Sequence, residues 1–495
     1  MISLSFSDEG SQDNAGVIDT MRPLLIGVAA LLLAAVLATG CDTGAPPELT
    51  KAEPGTIPPS PQRSGDSAAG RDALLNRSVL SCGLPYSAYA ASSGNPAPTY
   101  DLPGRRGRNA ALPYQLTAFV AESGVELVTS NCLGCHAAPL DGELVVGLGN
   151  EFLDFTGDPV MRVEGVGAYV EGEAEAAEWR RWADRISAVA PWSMTDTIGA
   201  NPAQALTLAL MAHRDPKTLA WSDEPVLPPP LTRVPPVSVP PLWNVDKKHA
   251  MFYNGEGRGD HVRFMILAST TCTDSVAEAR EIDAWFTDVR AYLASLPSPA
   301  YPYPIDQALA ADGESLFNAN CRKCHGRYGD RETYPNKLVA LDKVGTDPEM
   351  AEKAYYKADR FVRWFNGSFY GSRHGGVALT RATPSLGYVA PPLDGVWATA
   401  PYLHNGSVPT LAALLETNAR PTYWRFARAE PDYDPQTLGW DHVVLDAGQD
   451  EYASIDEQKW VYDTTRPGYS NQGHDFGDEL STDERRALLE YLKTL

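Results

Sequence analysis

The 495-residue sequence is short of positive charge: 41 lysines and arginines stand against 63 aspartates and glutamates, a formal charge of −22. Such a chain offers no basic surface for phosphates, which excludes nucleic acid as a partner. It also lacks a long apolar run; the longest, at residues 24–37, is too short and too abruptly ended to cross a bilayer comfortably. Methionine is scarce, with eight in all and only Met350 beyond residue 325. Proline and glycine, at 40 and 41 residues, exceed average usage and predict long irregular connections between rather few regular elements.

What is present begins with a processing signal. Met21-Arg22-Pro23 precedes the apolar run, and Ala38-Thr39-Gly40-Cys41 follows it. A charged start, a short apolar core and small residues before a cut predict a secretory signal over residues 1–41. The cysteine directly after the small residues resembles a bacterial lipoprotein signal, which implies a lipid on Cys41 and a protein held at a membrane, on the periplasmic side or the cell surface. Residues 42–73, rich in proline, glycine and polar residues at their start, predict a flexible tether.

Seven cysteines divide into Cys41, two motif pairs, and Cys82 with Cys272. The last two are either a disulfide of an oxidising compartment or two separate buried thiols. The pairs sit in Cys132-Leu133-Gly134-Cys135-His136 and Cys321-Arg322-Lys323-Cys324-His325. In an exported chain this spacing specifies haem c: each cysteine forms a thioether to one vinyl group, and the histidine is placed beneath the iron. Zinc would want its second cysteine pair nearby, and a dithiol would want a βαβ setting; neither is found.

The motifs belong to an internal repeat. Residues 124–132 align without gaps on residues 313–321, so one helix is expected before each motif. Each unit also closes on an amphipathic helix. Ile282, Trp285, Phe286, Val289, Tyr292, Leu293 and Leu296 make the first stripe, with Ser275 and Glu278 as its capping box. Leu488, Leu489, Tyr491, Leu492 and Leu495 make the second, with Ser481 and Glu484. The expected fold is mostly α: two cytochrome c-like domains, at 74–300 and 306–495, each with one covalent haem, plus long irregular insertions. The proline-rich stretch at 228–241 predicts an extended strap, and Met350 an exposed helix start.

The sixth ligands decide function, because an iron with an open position reacts with peroxide or oxygen and a fully ligated one only passes electrons. The histidines beyond the second motif are His374, His404, His442 and His474. The stretch Pro391-Pro392-Leu393-Asp394-Gly395-Val396-Trp397-Ala398-Thr399-Ala400-Pro401-Tyr402-Leu403-His404-Asn405-Gly406 resembles the signature of bacterial di-haem cytochrome c peroxidases, a superfamily that includes the methylamine-utilisation enzyme and the rubber oxygenase. The resemblance implies two facing haem domains, a calcium ion between them, and oxidative chemistry at one haem fed through the other. Residues 410–419 lack the methionine that ligates the second haem of the peroxidases. The block at 467–477 is closer to the rubber-oxygenase branch, which implies His474 as the distal ligand of the second haem, with His404 as the alternative. Leu242-Trp243-Asn244 resembles the segment that sets a tryptophan between the haems, so Trp243 is the expected relay. Phe252, His249 and His261 are each placed to reach the first iron, Phe252 as the wall of an apolar pocket.

The expected activity is therefore a haem oxidoreductase, peroxidase-like, taking peroxide or dioxygen at the N-terminal haem. The electron partner would be a small cytochrome or cupredoxin. Electron transfer without substrate chemistry and a rubber-oxygenase-like dioxygenation are the alternatives.

Overall fold

The computed structural model describes residues 49–372, 380–429 and 431–495. The signal, Cys41 and His374 lie outside them. Helices dominate, with small two- and three-stranded sheets scattered between them. None of the described helices is long and apolar enough to cross a membrane.

Two helix pairs organise the chain. In the second half, α-helix Gln307–Asn320 leads into the second motif and packs across the final helix, Thr482–Leu492. The crossing is close: a Cβ on Gly313 would meet the Ala487 carbonyl at 2.0 Å. In the first half, helix Ser67–Asn76 packs on helix Val276–Ala294 in the same way, and a Cβ on Gly70 would meet the Asp288 carbonyl at 1.8 Å. Only glycine lets two backbones approach so closely.

The expected helix before the first motif is therefore displaced. Residues 124–130 are not helical. They form the second strand of a hairpin, Leu116–Val120 paired with Glu126–Ser130, closed by a turn with Gly124 at φ +83°. Val125, Val128 and Thr129 are β-branched and favour a strand, whereas the aligned residues of the second copy include the helix formers Glu314, Leu316 and Ala319. The partner of Gly313 is Gly70, not Gly124.

A second correction follows. From residue 49 onwards the expected tether is docked. Gly55–Thr56 pairs with Lys337 and Leu338, Ile57 is buried, and Asp66 caps the helix that starts at Ser67. Arg63 is held by Asp260 and by both oxygens of Asp283. A docked arginine with two carboxylate partners is not a solvated linker.

The closing helices form as expected, with their apolar stripes inward. The capping box is complete at Ser481–Glu484. At Ser275 only half of it forms, because the Glu278 carboxylate accepts from the Asp274 amide instead. Residues 228–241 carry no helix or strand, as an extended strap should. Met350, expected exposed, is 4% exposed and packs with Ala351 and Tyr388.

The interior falls into two large apolar clusters that do not respect the midpoint of the chain. The first joins Leu133, Phe264, Ile282 and Phe286 to Phe361, Trp364 and Phe365; the second joins Leu140, Leu148 and Trp243 to Phe317, Trp397, Trp424 and Leu488. Each half completes the core of the other. Cys82 and Cys272 are joined in a disulfide that ties the segment after the first helix to the start of helix Val276–Ala294.

Candidate haem sites

The motifs share one local fold. Each is a single helical turn in which the histidine amide donates to the carbonyl of the first cysteine, His136 to Cys132 and His325 to Cys321, both at 3.0 Å. The turn brings two thiols and an imidazole together. The four motif cysteines are free and half-buried. Burial pushes the Cys132 and Cys321 thiols up to about 11, and raises Cys135, which accepts from Asn201 Nδ2 at 3.7 Å.

Each motif histidine also meets a Pro-Pro-Leu segment. His325 Nδ1 lies 2.9 Å from the carbonyl of Pro391, and the backbone of Pro240 lies beside the His136 ring, whose Nδ1 is buried short of hydrogen-bond geometry. A carbonyl on Nδ1 fixes the tautomer that leaves Nε2 for a metal. Pro240-Pro241-Leu242 and Pro391-Pro392-Leu393 are thus equivalent cradles. The sequence repeats them plainly, yet only the shared contact reveals the equivalence.

Opposite the cradles the sites differ. The rings of His325 and His474 lie with centres 6.2 Å apart and planes 62° apart. A metal–imidazole bond of about 2 Å on each side of one ion sets ring centres about 6 Å apart, so this pair fits a single iron between them. His474 has φ +49°, its Nδ1 is buried without a partner, and Phe476 packs edge-on against its ring at 5.2 Å. Burial, reinforced by His325 and Arg420, holds the imidazole at about 3, in the neutral form a metal would require. A non-glycine residue held at positive φ points to a functional constraint.

His404 does not join this pair. It is 6% exposed, stacked on Tyr388 at 4.1 Å and edge-on to Tyr253, and burial alone lowers it to about 3. Its carbonyl accepts from Ser238 of the strap. The loop around it has a cis peptide before Pro401 and Leu403 at φ +67°.

No histidine ring lies in contact with His136 among the described residues. Burial lowers His136 to about 4, against the pull of the Pro240 backbone and with help from Lys248. Lys248 is itself lowered to about 8 by burial. His261 is fully buried with neither ring nitrogen partnered, while His249 is engaged through Nδ1 by the Ile57 carbonyl at 2.7 Å. Phe252 is 42% exposed at φ +68°, edge-on to Phe264, which stacks on Phe365 at 4.6 Å. Behind the motif lies Glu151, which sequence reading missed. One carboxylate oxygen accepts from Ser238 Oγ and the Val239 amide, the other has no partner, and burial pushes the group up to about 8.

Trp243 connects the sites. It is 5% exposed, and its indole donates to the Asp394 carbonyl at 2.8 Å. It thus links the cradle of His136 to the cradle of His325, three residues from Pro240 and hydrogen-bonded three residues from Pro391. Lys247 adds an ion pair to Asp394 at 2.6 Å. For the expected calcium, no group of three or more His, Cys, Asp or Glu side chains gathers among the described residues.

Comparison with known proteins agrees with this geometry at a coarse level. Residues 387–425 match the family described as RoxA-like, cytochrome c-like. They contain the Pro391 cradle and the His404 loop. Two uncharacterized proteins of Sinorhizobium fredii are similar: y4iM, 31% identical over 310 residues covering 55% of this chain and 67% of its own length, and y4iJ, 30% identical over 253 residues covering 39% of each. A cytochrome c-like domain implies covalent haem c, and with it a haem-binding oxidoreductase or electron-transfer role.

Proposed function

Because the chain belongs to the family of the uncharacterized protein y4iM and carries a RoxA-like cytochrome c-like domain, we propose that it is an exported di-haem oxidoreductase. In this reading Cys132, Cys135 and His136 hold the first haem, and Cys321, Cys324, His325 and His474 the second. The haems supply one-electron chemistry and, at an open iron, a site for peroxide or dioxygen.

The observation that carries the reading is the asymmetry opposite the two motif histidines. His474 faces His325 across the width of one ion. Among the described residues no second ring is in contact with His136, and Phe252 packs edge-on against Phe264, which shares an apolar cluster with Leu133 of the first motif. The chain's own residues then divide the work. Pro391 fixes the His325 tautomer, Pro240 stands ready to do so for His136, and Trp243 connects the cradles. The disulfide supports export to an oxidising compartment, and the lipid on Cys41 belongs to the same proposal.

One observation favours a second reading. His261 is fully buried with both ring nitrogens unpartnered, as a residue that seals the first iron would be. The protein would then be a two-haem electron carrier. Cyanide titration separates the two: an open first site binds one equivalent rapidly, and Trp243→Phe slows electron exchange between the haems. Absence of cyanide binding in both redox states, together with unchanged exchange in Trp243→Phe, establishes the carrier.

A further inference from the structure

A cleft of about 370 Å³, with no motif residue in its lining, is walled by Tyr100, Phe152, Tyr303, Tyr433, Trp440, Asp141 and Asp432. Its volume suits a small aromatic molecule. Five of these residues are aromatic, and the lining contains two aspartates and no lysine or arginine. Such a wall takes an uncharged ring by stacking and repels a carboxylate or phenolate.

The rings of the cleft continue inward. Tyr303 stacks on Tyr433 at 6.3 Å with planes 3° apart, and Tyr301 is 5.4 Å from Tyr303. Both routes reach Trp397, from Tyr433 at 5.7 Å and from Tyr301 at 5.2 Å. Trp397 lies two residues beyond Gly395, against which the Trp243 ring packs. It belongs to the same loop as Pro391, the partner of His325. On the other wall, Phe152 donates its amide to Asn150, whose own amide donates to the carbonyl of Cys135. Rings thus run from the cleft to the loop that carries Pro391, and hydrogen bonds run from Phe152 to Cys135.

At the mouth, the Tyr303 hydroxyl donates to both oxygens of Asp141, at 2.8 and 3.0 Å. A tyrosine that loses an electron must lose its phenolic proton, and a carboxylate at that distance is placed to take it. Tyr303 is half-buried and Asp141 exposed, so the proton passes on to solvent.

We propose that this cleft oxidises a neutral phenol, whose electrons leave through Tyr303 and then Tyr433 or Tyr301 to Trp397. The inference rests on the reading of a peroxide-reactive haem and adds a second, remote site to it. In balance, the O–O bond of one hydrogen peroxide breaks and its oxygens leave as two waters. The two electrons and two protons come from two phenol molecules, each of which loses one of each and departs as a phenoxyl radical.

The test uses the full-length, haem-loaded protein with hydrogen peroxide and 2,6-dimethoxyphenol. Tyr303→Phe removes the dissociable proton and keeps the ring. It is expected to slow phenol oxidation by about tenfold or more, to diminish the tyrosyl radical signal that peroxide produces without phenol, and to leave the haem absorbance change with peroxide as in the wild type. Asp141→Asn, on an exposed turn, should slow phenol oxidation without altering phenol binding measured calorimetrically in the resting protein. A peroxide-reactive protein whose phenol oxidation and radical signal survive Tyr303→Phe overturns the phenol site alone. A wild-type haem that does not respond to peroxide overturns the reading of function, and the oxidation with it.

Discussion

The two motif regions are built from the same parts joined in different orders. At the second, the helix with the crossing glycine runs directly into the cysteines, and the cradle lies 66 residues from His325. At the first, the crossing helix ends at Asn76, and a disulfide, a hairpin and an irregular stretch intervene before Cys132. Inner geometry is preserved, as the matching backbone hydrogen bonds and the Pro-Pro-Leu cradles show. What differs is the far side of each histidine. One has its ring centre 6.2 Å from that of His474; around the other the described residues set no second ring in contact, and Lys248 lies nearby. The comparison suggests that attachment is the constant and distal furniture the variable on which function turns.

The largest effect should come from attachment. Replacing Cys132 and Cys135 by Ala, or Cys321 and Cys324 by Ala, should each remove one haem, read by mass spectrometry of the exported protein. Loss of both haems from either double variant would show that the halves do not load separately. Next is the disulfide, which exists only in the first region. Cys82→Ser with Cys272→Ser should cost about 2–5 kcal/mol in denaturant unfolding, with the absorbance of the second haem changing later in the titration than that of the first.

The glycine crossings come third. Gly70→Ala and Gly313→Ala each push a methyl onto a carbonyl closer than any real contact, and each should cost about 1–3 kcal/mol. Similar losses confirm that the crossings are equivalent; a harmless Gly70→Ala would return the first helix to the loop ahead of the motif.

The last effect, confined to one range of pH, concerns Glu151, which has no counterpart described at the second motif. Burial raises its carboxyl from 4.5 to about 8, so the folded state holds a proton that the unfolded chain releases. That contribution is complete below pH about 4.5 and is lost as the pH rises through about 8, with a slope of up to about 1.4 kcal/mol per pH unit. Unfolding measured across this window should show Glu151→Gln with a flatter pH profile than the wild type.

Much of this was legible in the sequence because it is local. The motifs, both closing stripes and the Ser481 cap all depend on spacing within a few residues. The displaced first helix was not, since a gapless match of nine residues concealed that Val125, Val128 and Thr129 prefer a strand. The docking of Arg63 was hidden because both of its partners, Asp260 and Asp283, are about two hundred residues away. Glu151 and the aromatic cleft were invisible for the same reason: the partners of Glu151, Ser238 and Val239, are nearly ninety residues away, and the cleft joins Tyr100 and Phe152 to Tyr303 and Tyr433.

The central claim is that the two irons differ in their distal ligation, and electron paramagnetic resonance of the oxidised protein tests it most directly. The account predicts one low-spin iron with two histidines and one high-spin or ligand-exchangeable iron, with His474→Ala converting the low-spin signal and sparing the other. Two low-spin signals in the wild type, or a low-spin signal that survives His474→Ala, would contradict it.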